Sequence, residues 1–220
     1  MDRKNVKQLI HNRIADCMKQ NGFRRYKTKL CYYRIRGDVL SFILFNTKSY
    51  GYECGAYIQP LYIPCPVLSL DYGDTVERME WAEREKYSLW TDYSEEKLRE
   101  NMENIRRYCA EKVFMWLEEI GSPQGIRTHI LEERSRIFCP PVRRYEAMAY
   151  SSLYLGDMEN GKRYLDAVDR ELRDGYTGGG WIQEMPDETE RLLRAIDAGH
   201  GEVERILRKN VEISREVLGI

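Results

Sequence analysis

Long apolar runs are missing from this chain. No stretch approaches the roughly 20 residues that cross a bilayer, so no membrane span is expected. An apolar signal core is missing too: Met1-Asp2-Arg3-Lys4-Asn5 leads straight into an amphipathic pattern, and we expect no secretion signal. Histidine is scarce. His11, His129 and His200 lie far apart and form neither H-x-x-x-H nor H-E-x-x-H, so nothing advertises the convergent ligands of a metal site. The six cysteines at 17, 31, 54, 65, 109 and 139 include no C-x-x-C pair. That spacing suits neither a disulfide framework nor a zinc site, and reduced, mostly buried thiols in a cytoplasmic protein are the expectation. No cysteine has a neighbouring histidine in sequence that would suggest a nucleophile–base pair. The glycine run "GYTGGGW" at 175–181 lacks the following Gly-Lys-Ser/Thr and the preceding strand of a phosphate loop, and reads as a connector. No catalytic residue, metal or cofactor is nominated.

What is present is charge. Of 220 residues, 32% are charged and 42% hydrophobic, and the net charge is only −1. The balance conceals an asymmetry. Residues 1–63 hold 12 Lys/Arg against 4 Asp/Glu, and residues 64–220 hold 23 against 32. Between Cys17 and Gly37 there are seven basic residues and no acidic one. Such a division implies two mutually attracting regions or a basic surface meant for a partner.

Hydrophobic periodicity then divides the chain. Val6, Ile10, Ile14 and Cys17 recur at helical spacing, and Asn21-Gly22 closes that helix. Strands are predicted at Phe23–Lys27 and Leu30–Arg36 around a turn at Thr28, at Val39–Asn46 after a Gly37-Asp38 hairpin loop, and at Tyr52–Ile63. The stretch "VLSFILF" is apolar on both faces, as in a central strand covered on both sides. Pro60, Pro64 and Pro66 end the sheet; the rest reads as helices. A short charged helix is predicted at Asp74–Tyr87. A long one begins at an N-cap at Ser94, with Leu98, Met102, Ile105, Cys109, Val113, Trp116 and Ile120 as its stripe. Ser122-Pro123 starts the next helix as cap and first-turn proline, Cys139-Pro140-Pro141 makes a break, and two more helices are predicted near 186–198 and 201–217.

The predicted fold class is therefore α+β: an N-terminal helix plus a four-stranded antiparallel meander, followed by a helical C-terminal region packed on the sheet. Its divisions are residues 1–63 (helix and basic sheet), 64–93 (linker and short helix) and 94–220 (helices, with a hairpin at 141–173). In the hairpin, Ala147, Ala149, Leu153, Gly156, Asp157, Gly161, Tyr164, Leu165 and Ala167 stand where a tetratricopeptide-type hairpin places its packing residues. No second copy lies near a 34-residue spacing, as an array of such repeats would require. A single hairpin packing against the helix at 94–120 is expected.

The run from Leu9 to Ile63 resembles a bacterial family named domain of unknown function 4304. The resemblance rests on Gly22-Phe23-Arg24-Arg25 after a helix, Tyr32-Tyr33 on an aromatic strand, Asn46-Thr47-Lys48-Ser49 closing a hydrophobic strand, and Tyr52–Tyr57 against the pattern Y-x-x-x-G-x-Y. Where the family usually carries glutamine at the end of the third strand, this chain has Asn46 or Thr47 according to alignment. The family supplies no catalytic residue to carry over.

One constellation invites a binding role. If Cys31, Tyr33 and Ile35 face the first helix, then Tyr32, Arg34 and Arg36 share the opposite face and could join Ser41, Tyr57 and Gln59. Rings and guanidinium groups on an open sheet can stack bases and hold phosphates. Against this, acidic helices could cover the face, burying Ile43 and Phe45 and pairing the arginines at the rim. Three functions stay open on these grounds: a non-enzymatic protein-interaction or accessory (immunity-like) module, which leads because helical hairpins serve binding and catalytic motifs are lacking; nucleic-acid binding through the sheet; and a small-molecule enzyme with a cleft between sheet and helices. The partner expected is another protein. The chain is expected as monomer or as homodimer through Val203, Ile206, Leu207 and Val211.

Overall fold

A computed structural model describes residues 1–27, 29–79, 84–132, 140–174 and 184–220. The glycine run at 175–181, Thr28 and Cys139 lie outside the described residues. The class is α+β, and the chain divides into two compact units: residues 1–58 with 72–121, and residues 59–71 with 122–220.

The first unit begins with α1 (Arg3–Gln20), capped by Asp2, whose carboxylate accepts from the Asn5 N–H at 2.8 Å. Val6, Leu9, Ile10, Ile14 and Met18 are its buried side chains, while Cys17 is only half-buried. Gly22, at φ +78°, takes the left-handed turn after the helix. The sheet runs in the order β1 (Arg24–Arg25), β2 (Cys31–Arg36), β3 (Val39–Lys48), β4 (Gly51–Pro60), β5 (Tyr72–Thr75). The predicted four strands are thus present in meander order, the first shortened to two residues. Two further strands come from the segment read as linker and charged helix. β5 pairs with Gly55–Ile58 of β4, and β6 (Leu89–Trp90) pairs with Gly51 and Tyr52. Gly73 permits the first pairing: a side chain there would lie 2.1 Å from the Ala56 carbonyl oxygen. Between them stand the single-turn helices α2 (Val76–Met79) and α3 (Arg84–Tyr87). The acidic composition around 74–87 masked the strand, because cross-strand fit outweighs intrinsic preference over so few residues. β3 is covered on both faces as its composition required, with Val39, Leu40, Phe42, Ile43 and Phe45 all buried.

Ser94 caps α4 (Glu95–Tyr108), accepting from the Lys97 N–H at 3.1 Å, and α4 packs against α1. The helix runs through a π-helical turn at Cys109–Val113 into α5 (Phe114–Ile120). The wider turn re-aims α5. After Val113 the buried residues are Phe114, Leu117 and Ile120, and Trp116, expected on the stripe, is only partly buried. The whole of 95–120 belongs with the sheet, because its apolar stripe packs there.

The second unit is helical: α6 (Pro123–Leu131), α7 (Pro141–Tyr154), α8 (Met158–Arg173), α9 (Met185–Ala198) and α10 (His200–Leu218). Ser122 caps α6 and Pro123 occupies its first turn. α7 and α8 form the predicted hairpin around Leu155-Gly156-Asp157, and within its unit the hairpin packs against α6, α9 and α10. Gly161 is pressed onto Leu153: an added Cβ would sit 2.3 Å from Leu153 Cδ2. Segment 59–71 threads this unit with Tyr62, whose side chain is fully buried, whose hydroxyl lies 2.9 Å from Ser151 Oγ and whose carbonyl accepts from Asn210 Nδ2 at 3.1 Å. Val203, Ile206, Leu207 and Val211, considered for a homodimer, are buried within the chain.

Candidate binding cleft

The six residues proposed as a binding face do not form one open surface. The β2–β3 register sets Tyr32 opposite Ile43, Arg34 opposite Ser41 and Arg36 opposite Val39, so these side chains share a face. That face looks toward α1 and α5, the reverse of the expectation that Cys31, Tyr33 and Ile35 would do so. Tyr32 is buried, with its hydroxyl 2.7 Å from His11 Nδ1 of α1. Arg34 lies over the Phe23 ring at 4.7 Å, donates to the Asn21 carbonyl at 3.1 Å and pairs with Glu118 of α5 at 2.8 Å. Arg36 shares the same Glu118 carboxylate. Ser41 is buried beside them. Tyr57 points to the other side of the sheet, stacked on Phe42 at 5.4 Å between centroids, and is buried as well. Gln59 is buried and fully engaged: its amide donates to the Val67 carbonyl at 3.1 Å and accepts from the Ser69 N–H at 3.1 Å. Alternation correctly separated the two sets on β2. Which set faced inward was decided by polar partners at the rim, His11 and Glu118, that lie 21 and 84 residues away from Tyr32 and Arg34 in sequence.

Two of the buried thiols, Cys31 and Cys54, have raised pKa values, Cys31 chiefly through its burial. Cys54 of β4 and Cys109 of the π-turn hydrogen-bond to each other, and that bond, followed by burial, drives the Cys54 pKa well up. A thiol held protonated is a poor nucleophile. Among the described residues no group of three or more His, Cys, Asp or Glu is arranged to hold a metal ion, and no helix is long and apolar enough to cross a membrane.

Convergence of polar groups occurs instead in the second unit. A cleft of about 490 Å³ opens between the segment Pro64–Asp71, α7 and the start of α9. This is within the ordinary range for ligand sites, roughly 300–1,000 Å³. Its mouth is aliphatic: Val67 and Leu70 are 62% and 40% exposed. Its interior holds an ion pair. Arg143 donates from Nη1 to Glu146 Oε2 at 2.5 Å, and its Nε lies 3.4 Å from Asp71 Oδ2. Arg143 and Glu146 sit one turn apart on α7, so the helix itself sets their spacing. Asp71 is oriented by Ser69 Oγ, which donates to Oδ2 at 2.6 Å. Met185 closes the cleft and packs with Val142 and Val168 in a buried cluster.

The field inside is negative. Asp71, Glu146, Glu184 and Glu188 line the cleft against Arg143, and Arg191 reaches Glu188 at 2.7 Å from outside the lining. Burial raises the Glu146 pKa above the usual carboxylate value; Arg143 opposes the rise, and Asp71 and Glu188 add to it. Tyr150 is driven well up by burial first, then by Glu146 and Glu188. Cys65, whose thiol donates to the Val67 carbonyl, is raised chiefly by burial.

Compared with protein-family models, curated proteins and solved structures, the chain matches none. The cleft escaped the sequence reading because its charges come from three segments more than 30 residues apart. In "VRRYEAMAYSSL" nearly every position is buried, so Arg143 and Glu146 are polar residues where the helix has no solvent to offer them.

Proposed function

We propose that the protein is a cytoplasmic protein-interaction module of accessory or immunity-like type, and that the cleft of its helical unit receives a segment of the partner. One observation carries this reading: two large aliphatic side chains, Val67 and Leu70, stand exposed in the lining of the cleft that holds the buried Arg143–Glu146 pair. Exposed apolar side chains of this kind are the anchors around which interfaces form, inside a polar rim. The resemblance of the N-terminal part to domain of unknown function 4304, and of the α7–α8 hairpin to a tetratricopeptide-type unit, belongs to the same proposal. The nucleic-acid alternative loses its principal support, since Arg34 and Arg36 are engaged with Glu118 and the two tyrosines are buried.

The test is a quantitative pull-down from native lysate with the full chain and with a Val67→Asp/Leu70→Asp variant. We expect a reproducible partner that the variant loses while its circular dichroism spectrum stays unchanged. No reproducible partner, or a partner retained by the variant, overturns the reading.

A further inference from the structure

The chemistry that the cleft accepts can be read from its lining. We propose that it recognises an aliphatic organic cation, the side chain of a lysine or arginine presented by the partner's segment. This rests on the interaction-module reading for the source of the cation, but the recognition itself comes from the cleft. A lysine or arginine stem is apolar and its head is charged. The cleft offers both surfaces: Val67, Leu68, Leu70 and Met185 are its apolar lining, and Asp71, Glu146, Glu184 and Glu188 its carboxylates, of which Glu146 is the buried one.

Charge decides between cation and anion. An anion entering the cleft would have to compete for Arg143 with Glu146, hydrogen-bonded to its Nη1, and with Asp71, whose Oδ2 lies 3.4 Å from its Nε. It would also meet Glu184 and Glu188 in the same lining. A cation keeps those bonds intact and adds charge-assisted hydrogen bonds to carboxylate oxygens that Arg143 does not use. Arg191 offsets only Glu188, so the lining keeps an excess of negative charge for the incoming head. Burial is the first cause of the upward shifts at Glu146 and Tyr150, and neighbouring carboxylates add to both. Selectivity is strongest at Glu146, the buried carboxylate. Near the surface, ions would screen such an attraction, whereas inside a partly dry cleft they do so far less.

The experiment uses the full ¹⁵N-labelled chain and four probes of similar size: n-butylammonium, n-butylguanidinium, n-butanol and butyrate, titrated at matched ionic strength. The two cations are expected to shift amides of 64–71, 143–150 and 184–188 in a saturable way, about tenfold or more tighter than n-butanol, with butyrate leaving them unmoved. Asp71→Asn and Glu188→Gln should each weaken the cations severalfold without changing n-butanol. Equal binding of n-butanol and the cations, preferential binding of butyrate, or shifts that never saturate overturns the inference. The two proposals fail separately. Loss of the partner on Val67→Asp/Leu70→Asp with no cation preference removes this inference and leaves the module. Saturable cation binding with partner capture indifferent to that variant removes the module and leaves a cation site.

Discussion

Glu146 is the residue at which stability and pH are most directly joined. Its carboxyl is buried on α7, where desolvation outweighs the help of Arg143 beside it. Facing it are Asp71 from the 59–71 segment, Glu188 from α9, and Arg143 and Tyr150 from its own helix. The direction of the shift sets the sign. The folded-state pKa is raised above the unfolded value, so the folded chain holds this proton more tightly. The stabilisation is complete below the unfolded pKa, near 4.5, and is lost as pH rises through the folded one. Chemical denaturation of wild type and Glu146→Gln across pH 4 to 8 should therefore show wild type losing ground to the variant as pH increases from about 4.5. A difference independent of pH would show that Glu146 ionises as freely folded as unfolded. This carboxyl was legible only as one acidic residue among thirty-six Asp and Glu. What separates it from the others is burial, and burial at one position depends on partners from distant segments.

At the scale of elements, local rules performed best where one side chain meets its own backbone. Ser94 and Ser122 cap their helices through side-chain acceptors, and Gly22 and Gly37 adopt the positive φ that their turns require. Reading failed where two elements had to be known together. β5 and β6 exist because β4 presents an edge to them, and the π-turn at Cys109–Val113 re-aims α5 by a backbone choice that no hydrophobic spacing displays. The arginines of β2 lie between these cases: their presence was plain, their partner was not. Both bind Glu118, but in different surroundings, since the Arg34 side chain is 9% exposed and that of Arg36 54%. Removing the shared carboxylate strands a buried guanidinium in one case and an exposed one in the other. Because Glu118 is itself 38% exposed, solvent softens the loss. We expect Glu118→Gln to cost about 1–2 kcal/mol in urea denaturation, and Arg36→Gln less than about 0.5 kcal/mol. Equal costs would mean that burial of Arg34 does not set the worth of the pair.

For the whole molecule, the charge asymmetry changes meaning once the units are drawn. Cut at residue 63, the chain appears strongly polarised; cut as it folds, the sheet unit carries 20 Lys/Arg and 17 Asp/Glu and the helical unit 15 and 19. Most of the basic excess of the N-terminal region is offset within its own unit by acidic residues of 72–121, Glu118 among them, so the apparent attraction between halves is largely the internal chemistry of one unit. The same division shows why a cut by sequence order would damage the other. Residues 122–220 contain α6 to α10 but not segment 59–71, which supplies Tyr62 to its interior and Asp71 to Arg143. Without that segment Ser151 and Asn210 lose buried partners, and a cavity opens where the Tyr62 ring was. Truncating a buried aromatic side chain alone costs about 3–5 kcal/mol, a large share of the roughly 5–15 kcal/mol that holds a domain folded. Residues 122–220 produced alone should therefore melt broadly, with poor amide dispersion. Residues 59–71 joined to 122–220 by a flexible Gly/Ser linker should restore a sharp transition. If 122–220 alone melts as sharply, and at the same midpoint, as the joined chain, segment 59–71 is not part of that unit's core.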